Sequence, residues 1–151
     1  MLPLACRSRP LRILCIEEDA LQRKLLAACL EAAKAECLFA PRAANAVWLF
    51  RRHPVDMVLM DLDWHVVEEI AAFHEMRNVW RWGRRVPIVA VSENESGWSE
   101  RAYREAGFAA LCEKPIQPMQ LFAILDDVLR DSHMPPLLER PSLSHMLPHS
   151  A

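Results

Sequence analysis

The sequence carries almost no net charge and has no apolar run long enough to cross a membrane. Its 18 Lys and Arg residues nearly balance 20 Asp and Glu residues, leaving a formal net charge of -2. This balance gives no reason to expect nucleic acid or an anionic membrane as a partner. No stretch approaches the ~20 apolar residues of a spanning helix, and the N-terminus lacks the cationic head of a signal peptide. We therefore expect a soluble, cytoplasmic protein.

The chain also lacks the cysteine pattern of a disulfide framework or a zinc site. It has five cysteines, an odd number, and their spacing is not the paired spacing of zinc ligands. Most of them fall inside apolar strand or helix patterns, which favours small buried hydrophobic side chains in a reducing compartment. The five are Cys6, Cys15, Cys29, Cys37 and Cys112.

Apolar runs alternate with amphipathic stretches five times, which is the pattern of repeated βα units. With 151 residues, of which 52% are hydrophobic, the chain can build one ordinary core. The sequence therefore predicts an α/β domain over residues 11–130, preceded by an extension (1–10) and followed by a flexible tail (131–151) without periodicity. The predicted strands are Leu11–Ile16, Glu36–Phe39, Val55–Met60, Pro87–Val91 and Ala109–Cys112.

Helical spacing of apolar residues predicts five helices between and after these strands. The third covers Val66–Met76, the fourth Gly97–Ala106 with Gly107 as its C-terminal cap, and the last Gln117–Leu129. Positions expected to face the core are Leu21, Leu25, Leu26, Cys29 and Leu30 in the first helix, Ala43, Val47, Trp48 and Phe50 in the second, Val67, Ile70 and Phe73 in the third, and Leu121, Ile124, Leu125 and Val128 in the last.

Acidic residues close two of the apolar runs. Glu17 and Glu18 follow the first predicted strand, and Asp61 follows the third. In a parallel α/β sheet the carboxyl ends of the strands line one edge, so these carboxylates converge if strands one and three are neighbours. Two like charges 4 Å apart repel by roughly 4 kcal/mol at an effective dielectric constant near 20. A proton or a cation must relieve this repulsion, and Mg²⁺ suits such a set of oxygen ligands.

A hydroxyl and an amine close the fourth and fifth runs. Ser92 and Lys114 follow these predicted strands, so they are expected at the same edge as Asp61. A carboxylate that attacks phosphorus forms an acyl phosphate, and Asp61, at the end of the most apolar strand, is the natural nucleophile. Ser92 and Lys114 could then each bind one phosphoryl oxygen. The pattern indicates a phosphoryl and divalent-cation site.

The motifs at these strand ends together resemble the receiver domain of bacterial two-component response regulators. The resemblance covers roughly Leu11 to Arg130, and its parts occur in the family's order and spacing. They are Ile13-Leu14-Cys15-Ile16-Glu17-Glu18-Asp19, Val58-Leu59-Met60-Asp61, Val89-Ala90-Val91-Ser92, Ala106-Gly107 and Glu113-Lys114-Pro115.

The resemblance implies a flavodoxin-like, doubly wound parallel sheet of strand order 2-1-3-4-5 with five helices. It implies phosphorylation of Asp61 by a histidine kinase or a histidine phosphotransfer protein. Mg²⁺ is then expected at Glu17, Glu18, Asp61 and the backbone carbonyl of Asp63. The implied role is that of a single-domain phosphoacceptor rather than an enzyme. Its output is expected through a partner protein that binds the face formed by helix four, strand five and helix five, or through onward phosphotransfer, and a homodimer is a further option.

Two alternatives stay open. Receivers usually carry Asp where Glu18 stands and an aromatic residue where Leu111 stands, and the loop after Asp61 contains neither the usual Pro nor the usual Gly. Glu18 and the altered loop motivate the first alternative, a degenerate receiver that binds partners without phosphorylation and that ranks close behind the phosphorylated one. The second alternative is a phosphatase resembling the haloacid dehalogenases. Its motif is Asp61-Leu62-Asp63, followed by Ser92, Lys114 and Asp126-Asp127.

Overall fold

Five parallel strands form one sheet in the computed structural model, which describes residues 10–63, 66–79, 83 and 85–131. The strand order is β2-β1-β3-β4-β5, and every neighbouring pair is parallel. This confirms the predicted order 2-1-3-4-5. The strands are β1 Arg12–Ile16, β2 Glu36–Ala40, β3 Met57–Asp61, β4 Ile88–Ser92 and β5 Ala110–Glu113.

The described residues also form five helices, and their ends differ slightly from the predicted ones. The fourth begins at Glu100 rather than Gly97, because the Ser99 side chain caps it by accepting a hydrogen bond from the backbone N–H of Ala102. Most of the predicted N-terminal extension and the predicted tail beyond residue 131 lie outside the described residues. The helices are α1 Ala20–Ala32, α2 Ala43–Arg52, α3 Val66–Arg77, α4 Glu100–Ala106 and α5 Pro118–Asp131.

The sheet is buried on both faces. Successive side chains of a strand point to opposite faces, so Leu14 and Ile16 join one apolar cluster while Ile13 and Cys15 join the other. Helices α2, α3 and α4 contribute to the first cluster, and α1 and α5 to the second. This two-sided cover explains why the central strands read as continuous apolar runs. No helix among the described residues has the length and hydrophobicity needed to span a membrane.

Four side chains expected in the core are exposed instead. Leu21, Leu25, Trp48 and Val67 have exposed fractions of 64%, 51%, 53% and 85%. A helix that packs on one face of a sheet buries a stripe of limited width, and these positions fall outside it. In α1, for example, Leu26 belongs to the buried stripe, whereas the preceding Leu25 faces solvent. The predictions for these four residues were wrong.

Gly107, the C-terminal cap of α4, should not accept a side chain without a loss of stability. Its φ is +110°, and an added Cβ would lie 2.9 Å from Cζ of Phe73. Gly107→Ala should therefore lower the free energy of unfolding by roughly 1–3 kcal/mol, measured by chemical denaturation. Gly97→Ala is the matched control, because Gly97 also has a positive φ of +69° but an added Cβ meets nothing within 4 Å. Equal losses in the two variants would contradict the contact with Phe73.

Candidate functional site

The strand register brings the predicted site residues to one edge of the sheet. Met60 of β3 pairs with Ile16 of β1, so the residues that follow them, Asp61 and Glu17, reach the same level. Asp61 in turn pairs with Val91 of β4, which places Ser92 one residue beyond it. Ser92 pairs with Glu113 of β5, so Lys114 also follows at the edge. The expected convergence of four strand ends is present.

The amine of Lys114 is the centre of this cluster. Its Nζ lies 3.0 Å from Oδ2 of Asp61, 2.8 Å from Oδ2 of Asp63 and 3.9 Å from Oε2 of Glu17. Burial alone would lower the pKa of Lys114, but the bonds to Asp63 and Asp61 outweigh it and raise the pKa above its ordinary value. Lys114 therefore carries a full positive charge among three carboxyl groups.

The side chain of Asp63 takes part in the site in a way that the sequence did not indicate. Its Oδ1 accepts hydrogen bonds from Ser92 Oγ at 2.8 Å and from the backbone N–H of Glu93 at 3.0 Å. Burial would raise the pKa of Asp63, but the bonds from Lys114, Ser92 and Glu93 lower it below its ordinary value. The Asp63 backbone N–H also donates to Oδ1 of Asp61 at 2.9 Å. Asp63 is thus an ionised partner of both predicted phosphoryl-binding side chains.

Glu17 is buried with one carboxyl oxygen unsatisfied. Its Oε1 accepts a hydrogen bond from the backbone N–H of Asp19 at 3.0 Å, whereas Oε2 accepts none. Burial and then the interaction with Asp61 raise the pKa of Glu17 to about 7. A buried oxygen without a partner is costly, so this position favours a proton or a cation.

The carboxylate of Glu18 lies near an arginine outside the Lys114 cluster. The Glu18 side chain is exposed, and its Oε1 lies 3.9 Å from the guanidinium of Arg42, which itself donates to Glu68 at 2.9 Å. The structure therefore brings Glu17, Asp61 and Asp63 together but leaves the carboxylate of Glu18 with Arg42. Glu18 as a metal ligand stays a prediction that requires its side chain to turn.

The donor set fits Mg²⁺. The unsatisfied Oε2 of Glu17, a carboxylate oxygen of Asp61 and the backbone carbonyl of Asp63 are hard oxygen donors, and Mg²⁺ commonly binds few protein ligands and keeps several waters. Within the described ranges, no group of three or more His, Cys, Asp or Glu side chains is already arranged around a cation position. Glu17 and Asp61 are therefore the side-chain ligands that this arrangement offers, and the Asp63 backbone carbonyl stays a predicted ligand.

The acids required by the phosphatase alternative do not lie at a strand end. Asp126 and Asp127 are inside α5, where the guanidinium of Arg130 lies 3.2 Å from one and 3.5 Å from the other. The motif around Asp61 thus lacks its expected acidic partners at the edge of the sheet. The arrangement favours phosphoryl acceptance over phosphatase turnover.

Known proteins show the same architecture. The sequence matches the response regulator receiver domain family over residues 13–126. The polar-differentiation response regulator DivK of Brucella anthropi is 24% identical over 123 residues, which are 82% of this chain and 99% of the relative.

Two similar solved structures are a sensor protein from Polaromonas sp. JS666 and the receiver domain of the sensor histidine kinase PA1611 from Pseudomonas aeruginosa PAO1. The first is 28% identical with a TM-score of 0.70 and covers 81% of this chain and 97% of its own. The second is 26% identical with a TM-score of 0.70, covers 80% and 98%, and has a magnesium ion coordinated in its active-site cleft.

The match over most of the chain, together with the sheet order and the cluster of strand ends, defines the class of protein. The chain belongs to the response regulator receiver domain family. Its members are signalling domains of two-component systems. The resemblance found in the sequence motifs is thereby confirmed.

Glu69 is a further buried acid that sequence reasoning missed. It lies at the N-terminal end of the buried stripe of α3, and its Oε2 has no hydrogen-bond partner. Burial and then the negative charges of Asp61 and Asp63 raise its pKa to about 8. The sequence did contain one signal for this burial: Glu69 falls at a position that continues the apolar stripe of Ala72, Phe73 and Met76.

Glu69 is expected to make the stability of the fold depend on pH. Its pKa of about 8 in the folded state exceeds the ordinary 4.5, so the folded state binds more protons than the unfolded state between these values. Stability should fall as the pH rises through this window, by up to about 5 kcal/mol in total. Denaturation at several pH values should show a flatter profile for Glu69→Gln. Glu95→Gln, at an exposed position, is the control, and an unchanged slope in Glu69→Gln would contradict the assignment.

Proposed function

We propose that Asp61 accepts a phosphoryl group from a histidine kinase or a histidine phosphotransfer protein. The observation that carries the proposal is the position of Lys114, whose amine lies 3.0 Å from the Asp61 carboxylate with Ser92 in the same hydrogen-bonded cluster. All three side chains stand on or directly after buried strands, so their geometry is rigid before any donor arrives. Membership of the receiver family supports the same role.

The chemistry is an in-line transfer. A carboxylate oxygen of Asp61 attacks phosphorus, the new O–P bond forms, and the P–N bond to the donor histidine breaks. The electron pair of that bond returns to the imidazole nitrogen, which takes up a proton. Lys114 and Ser92 then stabilise the charge on the transferred group by donating hydrogen bonds to its oxygens.

A divalent cation would complete the site. Glu17, Asp61 and the backbone carbonyl of Asp63 would hold Mg²⁺, with Glu18 joining them if its side chain leaves Arg42. When bound, the ion neutralises negative charge that develops on the phosphoryl oxygens. Its presence in the similar PA1611 receiver domain supports this assignment.

Exposed apolar side chains flank the site and offer a docking surface for the phosphodonor. Leu21 and Leu25 project from α1, which starts three residues after Glu17, and Met119 projects from the start of α5. Apolar residues exposed on both sides of a reactive centre are typical of an interaction surface. We propose a cytoplasmic location for the chain, in keeping with such a phosphodonor.

The signal would leave through α4, β5 and α5. The backbone N–H of Asn94 donates to Ser92 Oγ at 2.8 Å, and the hydroxyl of Tyr103 on α4 donates to Oδ1 of Asn94 at 3.1 Å. A phosphoryl group that draws Ser92 toward Asp61 therefore acts on α4 through Asn94. A cleft of about 540 Å³ between α4 and α5 gives a downstream protein room to bind.

The second candidate is a receiver that binds partners without being phosphorylated. One observation favours it: Lys114 and Ser92 already bind the carboxylate of Asp63. The following experiment separates the two candidates.

Wild-type protein should gain one phosphoryl group when it is incubated with acetyl phosphate and Mg²⁺. Intact-protein mass spectrometry measures the gain, and Asp61→Asn should abolish it because no carboxylate nucleophile remains. Asp127→Asn, which removes an exposed acid on α5, should leave it unchanged. Absence of modification in the wild-type protein would move the assignment to the phosphorylation-independent module, and steady release of phosphate from small phosphoesters would favour the phosphatase.

Leu25→Asp should slow transfer from phosphorylated histidine phosphotransfer domains by roughly tenfold while transfer from acetyl phosphate stays unchanged. The reason is that Leu25 belongs to the proposed docking surface but not to the reacting cluster. Trp48→Ala, at a similarly exposed position on α2, serves as the control. If transfer from both donors slows equally in Leu25→Asp, α1 affects the chemical step and not the docking of the phosphodonor.

A further inference from the structure

We infer that the side-chain carboxylate of Asp63 occupies the phosphoryl-binding position and must leave it when Asp61 is phosphorylated. The inference rests on the proposed function, since it concerns the same site. It goes beyond that function by assigning to Asp63 the role of an internal competitor. The sequence associated the backbone carbonyl of Asp63 with a metal ion and the residue with a phosphatase motif, but it did not pair the carboxylate with Ser92 and Lys114.

The contacts of Asp63 are the first support. Three donors converge on its two oxygens: Ser92 Oγ at 2.8 Å, the backbone N–H of Glu93 at 3.0 and 3.2 Å, and Lys114 Nζ at 2.8 Å. Ser92 and Lys114 are also the donors proposed to bind the phosphoryl group. A hydroxyl, a backbone N–H and an ammonium group around one anion form a complete oxyanion site.

The position of this carboxylate relative to Asp61 is the second support. Lys114 Nζ contacts Oδ2 of Asp61 at 3.0 Å and Oδ2 of Asp63 at 2.8 Å, so one amine bridges the two groups. The Asp63 backbone N–H donates to Oδ1 of Asp61 at 2.9 Å, which ties the loop to the nucleophile. A phosphoryl group attached to Asp61 would need the same amine and hydroxyl.

Because both are anions, the phosphoryl group and the Asp63 carboxylate cannot occupy this position together. A phosphoryl group carries about −1.5 to −2 charges and three acceptor oxygens, so it attracts the same donors more strongly than a carboxylate does. Both anions together would leave one of them without donors in a partly buried site. Displacement of the weaker acceptor is therefore the expected outcome.

The structure leaves room for the displaced side chain. The Asp63 side chain is 16% exposed, so its carboxylate can turn to solvent without crossing the core. A cavity of about 650 Å³ opens beside it, lined by Asp63, Ser92, Glu93 and apolar residues of α3 and α4. Until it is displaced, the Asp63 carboxylate accepts the hydrogen bonds of Ser92 and the Glu93 backbone in the way that a bound anion would.

The test is to titrate the full chain with beryllofluoride at a fixed, saturating Mg²⁺ concentration and to measure the affinity by calorimetry. Asp63→Ala should bind roughly tenfold more tightly than the wild-type protein, because the internal competitor is gone. Without ligand, the Glu93 amide of this variant should lose protection from hydrogen exchange and regain it when beryllofluoride binds. Asp63→Ser is the second variant if the alanine variant unfolds.

Glu95→Gln is the matched control. It removes an exposed negative charge near the site but none of the donors that bind Asp63, so the affinity should change by less than about twofold. Equal gains in Glu95→Gln and Asp63→Ala, or weaker binding in Asp63→Ala, would overturn the inference while leaving the proposed function intact. Absence of binding in every variant and in the wild-type protein, or binding that survives in Asp61→Asn, would instead remove the proposed function.

Discussion

The ion pairs of Lys114 are the interaction on which the site depends. Its amine bridges Asp61 and Asp63 and lies 3.9 Å from Glu17, so one cation opposes three carboxyl groups. Two carboxylates at 4 Å repel by about 4 kcal/mol at an effective dielectric constant of 20, and one amine cannot relieve three. Burial first, and then this remaining repulsion, raises the pKa values of Glu17 and Glu69. The edge of the sheet therefore favours any further positive charge.

Much of this arrangement could be predicted from the sequence, for a simple geometric reason. Apolar runs mark the strands, and parallel strands end at one edge, so residues directly after the runs must meet. Asp61, Ser92 and Lys114 follow this rule, and the register confirms it. The C-terminal cap of α4 at Gly107 was predictable for the same kind of reason, because a positive φ there requires a particular residue type.

The directions of individual side chains could not be predicted. Glu18 is adjacent to Glu17 in the chain, yet it turns to Arg42, which comes from a distant helix terminus. The carboxylate of Asp63 binds Ser92 and Lys114, partners 29 and 51 positions away whose spacing in the fold no local pattern reveals. Helical periodicity likewise predicted that apolar residues of α1 and α3 face the core, but it does not show how narrow the buried stripe of each helix is.

A crystal structure of the chain with Mg²⁺ and beryllofluoride tests the central claim most directly. The account predicts beryllium on a carboxylate oxygen of Asp61, fluorine atoms in contact with Ser92 Oγ and Lys114 Nζ, and the Asp63 carboxylate turned away from both. A structure that leaves the Asp63 carboxylate on Ser92 and Lys114, with Asp61 unmodified, would contradict it.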